Sequence, residues 1–157
     1  MKHINYRFWV DKECNWFQDD KPITHKGIYN FNYKNLKINN YNEFFIQEGD
    51  SIAFVKFEDK PFLVRSVHIE SDKTILLNLN DSTIEKLNIN TFYFMNDIPY
   101  CRVKENLFEA RFSRPALYQI SKSMKIVDGN YFLNDTLINH IYTLYFQLTR
   151  KWHYLKY

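Results

Sequence analysis

Two arginines next to a predicted helix start carry the strongest chemical signal in the sequence. In LFEARFSRPALY, residues 107–118, a strand places Glu109 and Arg111 on one face, because side chains two residues apart point the same way. Arg114 follows, and Pro115 is favoured just inside a helix start. The free N–H groups of a helix N-terminus and the forked donors of arginine both suit phosphate or carboxylate. The pattern predicts an anion-binding corner. The structural alternative pairs Glu109 with Arg111 and packs Arg114 against an aromatic ring.

A second corner repeats this arrangement in DDKPITHKG, residues 19–27. It places Lys21 and His25 near the start of a helix predicted over 24–37, with Thr24 as its N-cap. A protonated His25 donates a hydrogen bond to an anion, whereas in the structural alternative it satisfies a backbone carbonyl. The simplest interpretation of the stretch is a strand-to-helix turn, and the functional one is a second contact for the same anion.

The energetics of binding indicate what kind of anion this is. A charge at an exposed helix N-terminus contributes roughly 0.3–1 kcal/mol, and a charged hydrogen bond contributes about 1.5–3 kcal/mol. Micromolar affinity requires about 8 kcal/mol, so two anion contacts alone fall short. A flat group stacked on Trp16, Tyr100 or Tyr118 supplies the remainder. The predicted ligand is therefore a small anion with an aromatic part, rather than bare phosphate.

Other kinds of site find little support in the sequence. The five histidines have no partner at i+3 or i+4 and no C-x-x-C occurs, so no metal site is predicted. There is no G-x-S-x-G, and only three glycines are available for a phosphate-binding loop. No catalytic residue and no cofactor is therefore assigned. An enzyme acting on a nucleotide or a phosphate ester is kept as an alternative, and it requires Asp20, Asp59 and Glu109 to converge.

Composition excludes several classes of partner. The 21 basic and 18 acidic residues give a net charge of +3 and are mixed along the chain, so no nucleic-acid footprint is expected. No apolar run approaches the length of a membrane span, and the start of the chain has no apolar signal core. We expect a cytoplasmic protein that contacts neither membrane nor nucleic acid, with Cys14 and Cys101 reduced. The sequence does not predict the oligomeric state.

Aromatic and β-branched runs alternate with polar turns along most of the chain. They predict two helices, over 24–37 and 115–124, and strands over 7–10, 15–18, 43–47, 51–58, 62–69, 74–80, 91–95, 99–103 and 107–112. The tail from His140 fits either a strand or a helix, because two leucines, Leu144 and Leu148, match a helical stripe whereas its aromatic residues and Thr143 favour a strand. We predict a strand through Leu148. This indicates a strand-rich α+β fold of two small subdomains, each with a helix. The turn EDKP, residues 58–61, is the expected boundary between residues 1–60 and 61–157. Halves of this size are marginal alone, so they should pack on each other and leave a crevice.

Three stretches resemble the signature segments of a bacterial family, domain of unknown function 1285 (DUF1285). They are WFQDDKPITHKGI, VKFEDKPFLV and YCRVKENLFEARFSRPALYQI, and IYTLYFQLT resembles the closing segment of the family. Asp20 stands where the family usually has glycine, and Leu79 departs from a Thr-Asn pair that Asn80 matches. Ile141 and Thr143 replace the usual Ser and Gly of the closing segment.

This resemblance implies an α+β fold whose C-terminal part is vaguely like a pleckstrin-homology barrel. No enzymatic activity is established for that family. The resemblance implies a small nucleotide-like ligand held between the halves, in a signalling role. We therefore predict a non-enzymatic binder of a small anionic ligand at the subdomain interface. The predicted ligand-binding residues are Lys21, His25, Trp16, Tyr100, Glu109, Arg111, Arg114 and Tyr118. A protein-interaction module that docks partners on exposed aromatic strands is the main alternative.

Overall fold

The computed structural model describes residues 3–143 of the 157-residue chain. That part contains two α-helices, α1 (Lys26–Lys34) and α2 (Arg114–Ser121), and one 3-10 helix (Ile89–Thr91). Its strands are β1 (Tyr6–Val10), β2 (Trp16–Gln18), β3 (Lys21–Ile23), β4 (Leu36–Ile38), β5 (Phe44–Glu48), β6 (Ser51–Phe57), β7 (Phe62–Ile69), β8 (Ile75–Leu79), β9 (Ile84–Lys86), β10 (Tyr93–Met95), β11 (Ile98–Val103), β12 (Phe108–Phe112), β13 (Met124–Val127), β14 (Asn130–Leu133), β15 (Thr136–Leu137) and β16 (Asn139–Ile141). No described helix is long and apolar enough to cross a membrane.

The strands form three sheets within the described residues. The first has six strands in the order β3-β2-β1-β6-β5-β4, and the second has seven in the order β16-β10-β11-β12-β7-β8-β9. Strands β13, β14 and β15 form a small third sheet. The strand-rich α+β prediction is confirmed, and no sheet in this part of the chain closes into a barrel. The boundary between residues 1–60 and 61–157 stays a prediction, although the first sheet ends at Phe57 and the second begins at Phe62.

The first predicted helix is shorter than its pattern indicated. It begins at Lys26, and its N-cap is His25 rather than Thr24, because His25 Nδ1 accepts a hydrogen bond of 3.1 Å from the N–H of Gly27. The helix ends at Lys34, and Leu36 pairs with Ile46 as part of β4. The apolar spacing that extended the predicted helix to residue 37 therefore included a strand residue.

The second helix lies close to its predicted position. Ser113 is its N-cap and accepts a bond of 3.2 Å from the N–H of Ala116, so the helix begins at Arg114, one residue before the predicted start. It ends at Ser121, and the predicted last residue, 124, belongs to β13 instead. The sequence analysis missed six short strands, namely β3, β4, β9, β13, β14 and β15. Of the predicted tail strand, β16 ends at Ile141 and pairs in parallel with β10, and residues 144–148 lie outside the described residues.

One aromatic core joins the two large sheets. Trp16 of the first sheet lies edge-on to Tyr33 of α1, with ring centroids 5.2 Å apart. Tyr33 packs at 4.6 Å against Phe62 of the second sheet, and Phe62 at 5.7 Å against Phe108. Phe44 of the first sheet also reaches Phe108, at 6.3 Å. The two sheets therefore bury their apolar faces on each other, as the size of the halves predicted.

A buried polar connection runs through the same place. The hydroxyl of Tyr33 donates to the carbonyl of Pro61 at 2.8 Å and accepts from Asn80 Nδ2 at 2.6 Å. Asn80 Oδ1 in turn accepts from the N–H of Leu63 at 2.9 Å. Tyr33 and Asn80 are 5% and 4% exposed, so these groups depend on one another for their hydrogen bonds. We call these groups the Tyr33–Asn80 tether, because they fix α1 to β7 and β8.

Replacing Tyr33 with phenylalanine tests the tether. The change keeps the ring but leaves Asn80 Nδ2 without its acceptor, and leaves the Pro61 carbonyl with only the weaker hydrogen bond that Cys14 Sγ donates at 3.5 Å. Buried polar groups that lose their partner cost about 1–3 kcal/mol, and we expect Tyr33→Phe to lower the free energy of unfolding in urea by that amount. Tyr41→Phe is the control, since Tyr41 is 82% exposed. An equal effect of both substitutions would contradict the role of the tether.

Candidate functional site

Glu109 lies in a polar network rather than beside Arg111. Its carboxylate pairs with Lys60 Nζ at 2.6 Å and accepts from the hydroxyl of Tyr93 at 2.7 Å. Tyr100 donates to Asp59 Oδ2 at 2.9 Å and stacks on Tyr93 with ring centroids 5.5 Å apart. We call these five residues the β11–β12 network. The alternative pairing of Glu109 with Arg111 is wrong, because Lys60 from the EDKP turn takes that place.

The network fixes the charge of its members. Burial by itself raises the pKa of the Glu109 carboxyl. Hydrogen bonds from Lys60 and Tyr93 favour its charged form more strongly, so the pKa is lowered. Burial raises the pKa of Tyr93 and of Tyr100, and the neighbouring carboxylates Glu109 and Asp59 add to these shifts. Both tyrosines are therefore neutral donors at pH 7. Tyr100 is 4% exposed and carries Lys60 Nζ 5.5 Å from its ring centroid, so its faces are occupied.

The two predicted arginines lie on different elements and are not ion-paired. Arg111 stands opposite Tyr100 in the β11–β12 register, on the same face as Glu109. Neither Arg111 nor Arg114 forms a salt bridge within residues 3–143. The positive charge of Arg111 lowers the pKa of Tyr100 and of Cys14, against the larger effect of burial, which raises both. Arg114 is exposed at the first position of α2.

The other predicted ligand residues do not gather around these arginines. His25 uses Nδ1 to cap α1, and Lys21 is exposed on β3. Tyr118 is 68% exposed, and Lys122 Nζ lies 4.9 Å from its ring centroid. Their assignment as ligand contacts stays a prediction, as does that of the arginines.

A cavity of about 310 Å³ lies between the first sheet and the second. We call it the Trp16 cavity. It is lined by residues of the first half and by two residues of the second half: Cys14, Asn15, Trp16, Phe17, Pro22, Ile23, Thr24, Tyr29, Arg65 and Asn80. Of the eight predicted ligand residues, Trp16 alone lines it. The DDKPITHKG corner does reach this cavity, but through Pro22, Ile23 and Thr24 rather than through Lys21 or His25.

Arg65 is the one charged side chain in this lining. It forms no salt bridge within the described part of the chain, and its carbonyl accepts from Ser113 Oγ at 3.0 Å. The thiol of Cys14 stays neutral because burial raises its pKa to about 12; Asp11 and Asp59 act in the same direction and Arg111 in the opposite one. Among the described residues, the lining therefore combines one guanidinium outside any ion pair with several aromatic and apolar surfaces, and the Asp11 carboxylate lies behind it, bonded to Asn15.

Trp16 forms the buried wall of the cavity, at 2% exposure. Its indole Nε1 lies near enough to the Tyr33 hydroxyl to help lower that group's pKa, which burial raises far more strongly. Nε1 nevertheless has no acceptor in hydrogen-bonding geometry among residues 3–143. A buried N–H without an acceptor is uncommon in proteins, and this one is enclosed by protein atoms rather than open to the cavity.

The acidic residues of the predicted enzyme alternative separate into two places. Asp59 and Glu109 line a groove of about 330 Å³ that also contains Lys60 and Arg102, which we call the Glu109 groove. Asp20 lies elsewhere, in a cavity with Tyr6 and Trp9 on the outside of the first sheet. No cluster of three or more histidine, cysteine or carboxylate side chains suited to a metal occurs among the described residues.

Sequence reasoning missed Arg65 and Tyr29 as lining residues. Arg65 lies in FLVRSVHI, where the alternation of buried and exposed positions predicts that Arg65 is exposed, between Val64 and Val67. The alternation does not predict which residues lie across from it. Only the pairing of β7 with β12 and the packing of α1 bring it opposite Trp16. The sequence does indicate Asn80, because it matches one residue of the family pattern.

Comparison with known proteins identifies the fold. No protein-family model matches the chain, and no curated protein matches it either. The crystal structure of a DUF1285 family protein from Silicibacter pomeroyi DSS-3 is similar, with 15% identity, a TM-score of 0.73, and coverage of 92% of this chain and 84% of that chain. A DUF1285 family protein from Shewanella baltica OS155 matches at 14% identity and a TM-score of 0.65, over 74% of this chain and 91% of that chain. Both belong to the family that the motifs resemble, so the resemblance is confirmed at the level of the fold.

The lowered pKa of Glu109 makes a pH-dependent prediction. Its folded pKa lies below the reference value of 4.5, so its charge stabilises the fold above that pH, and this contribution is lost as the pH falls through the folded pKa. We expect Glu109→Gln to lower the free energy of unfolding at pH 7 by up to about 1 kcal/mol, as for partly exposed ion pairs. The difference from the parent protein should close towards pH 3.

Urea denaturation at pH 7 and pH 3 measures this difference. Glu105→Gln, at an exposed position, is the matched control and should show little change at either pH. A Glu109→Gln deficit that persists undiminished at pH 3 would show that packing, rather than the charge, is responsible.

Proposed function

We propose that this chain is a DUF1285-like binding protein that holds a small anionic ligand in the Trp16 cavity, between the two sheets. The observation that carries the proposal is the cavity lining, which within residues 3–143 offers a guanidinium outside any ion pair at Arg65, together with the rings of Trp16 and Tyr29 and no lining carboxylate. An anion with a flat part is the ligand class that such a wall accommodates. No catalytic step is proposed.

The predicted arginines keep a place in this proposal. Arg111 lies close enough to Cys14, a lining residue, to act on its pKa. Arg114 follows Ser113, whose hydroxyl bonds the backbone of Arg65. We assign both a long-range contribution to the positive potential near the cavity, and we assign the direct contact to Arg65. The nucleotide-like ligand, the signalling role and the pleckstrin-homology likeness of residues 61–157 belong to the proposal as what the family resemblance implies.

Magnitudes agree with a micromolar ligand. One charged hydrogen bond to Arg65 contributes about 1.5–3 kcal/mol, and burial of an aromatic ring contributes about 25 cal/mol per Å² of apolar surface. Together they approach the roughly 8 kcal/mol that a micromolar dissociation constant requires. The guanidinium alone does not.

A protein-interaction module is the second candidate, and the outer face of the first sheet favours it. Tyr6 and Trp9 are 42% and 43% exposed, and Trp9 packs at 5.4 Å against Phe17 on the neighbouring strand. Lys56 lies opposite Trp9 in the β1–β6 register. Exposed aromatic rings beside a cation are typical of docking surfaces. If Trp9→Ser abolishes the binding of a protein partner while small-molecule binding persists, the outer face of the first sheet is the docking surface.

A thermal-shift screen of anionic metabolites and nucleotides tests the proposed ligand site. A compound that binds only the folded protein raises its melting temperature. We expect Arg65→Ala to weaken binding of such a compound by about 10- to 150-fold, the equivalent of the charged hydrogen bond that it removes. The main-chain bonds of Arg65 remain in this variant.

Arg102→Ala is the matched control, because Arg102 is an exposed arginine that lines the Glu109 groove instead. It should leave ligand-induced stabilisation unchanged. Loss of stabilisation in Arg102→Ala together with full retention in Arg65→Ala would move the site to the Glu109 groove and contradict the proposal.

The double variant Arg111→Ala with Arg114→Ala tests the long-range contribution. Because both side chains lie outside the cavity lining, we expect it to reduce affinity by only a few-fold, and less at high salt, where distant charges are screened. Isothermal titration at two salt concentrations measures this. A complete loss of binding with an intact fold would make these arginines direct contacts.

A further inference from the structure

The arrangement of charge and aromatic surface in the Trp16 cavity defines its ligand more narrowly than the proposed function does. Arg65, the charged member of the lining, is exposed, whereas Trp16 is buried. The cation therefore lies at the mouth and the aromatic wall lies at the inner end. A ligand that uses both must enter with its ring first and place its anionic group against Arg65 at the mouth, where the bound ring shields that group from part of the solvent.

The charge of the ligand follows from the lining. An anionic charge that is removed from water needs its own counter-charge, since an uncompensated one is costly. The cavity lining supplies one, on Arg65, and the Cys14 thiol stays neutral. A phosphate monoester carries about −1.5 to −2 at pH 7, which exceeds one guanidinium. A carboxylate carries −1 and matches the guanidinium fork with two parallel hydrogen bonds.

The inner wall offers the ligand aromatic and apolar surface rather than a hydrogen bond. Trp16 Nε1 is enclosed by protein atoms and is closed to the cavity. The Asn80 amide oxygen is engaged by the N–H of Leu63. The Tyr33 hydroxyl is likewise engaged on both sides, by Pro61 and Asn80.

The size of the cavity sets a limit on the ring. About 310 Å³ lies at the lower end of the usual range for ligand sites, roughly 300–1,000 Å³. Such a volume suits one compact aromatic unit against Trp16 and Tyr29 better than a base, a sugar and a phosphate chain together.

We propose that the Trp16 cavity binds a small aromatic monocarboxylate, with its ring against Trp16 and its carboxylate on Arg65. This inference rests on the proposed function and narrows it, because it replaces the nucleotide-like class with a singly charged aromatic acid.

Matched probes test the charge requirement on the full chain. Isothermal titration compares benzoate and pyridine-3-carboxylate with their neutral amides, benzamide and pyridine-3-carboxamide, and with adenosine 5′-monophosphate. We expect both carboxylates to bind at least tenfold more tightly than their amides and than the nucleotide. Arg65→Met, which keeps a long apolar side chain, should weaken the carboxylates about tenfold to a hundredfold and leave the amides unchanged.

The outcomes separate this inference from the function on which it rests. Nucleotide binding that depends on Arg65, with no carboxylate binding, overturns the monocarboxylate class and leaves the anion site standing. Equal binding of carboxylates and amides overturns the charge requirement. If neither the carboxylates nor the wider screen of anions binds the folded protein, both the narrow class and the proposed function are wrong.

Discussion

The buried hydroxyl of Tyr33 is the constraint on which the arrangement of this protein depends. It sits on the helix of the first half and is held between a backbone carbonyl at Pro61 and the side chain of Asn80, both in the second half. Desolvated polar groups are stable only when each finds its partner. The two sheets therefore have one relative position in which this set of hydrogen bonds is complete, and the aromatic rings around Tyr33 fill the space that this position leaves.

The same constraint creates the candidate site. Because Tyr33 draws α1 against β7 and β8, the end of β3 and Thr24 come to face Arg65 on the second sheet. Neither half contains the Trp16 cavity by itself, since Trp16 comes from one and Arg65 from the other. In the β11–β12 network, Glu109 is paired with Lys60. Among the described residues, Arg65 is the charged side chain of the cavity lining.

The sequence predicted strands and turns better than it predicted the site. The run FLVRSVHI has the bounds of β7, because it is rich in apolar and β-branched residues and polar turns flank it, although a β-bulge between Val64 and Ser66 interrupts its alternation. The first helix was extended too far because Leu36 fits a helical stripe and an edge strand equally well. His25 was weighed as an anion contact, yet its ring serves as the helix cap. Arg65 was missed for a general reason: an exposed arginine on a strand acquires a role only through what the tertiary fold places opposite it.

The pairing of β1 with β6 has a consequence for how the chain is assembled. These strands run parallel, and the intervening hairpin, α1 and two further strands form one long loop between them. Contacts between residues far apart in the sequence form slowly, because the intervening chain loses conformational entropy before the contact contributes any stabilisation. During synthesis, β1 cannot pair with β6 until β6 has left the ribosome. A chain truncated before residue 51 lacks β6. The edge of β1 that pairs with β6 is then open to pair with other molecules.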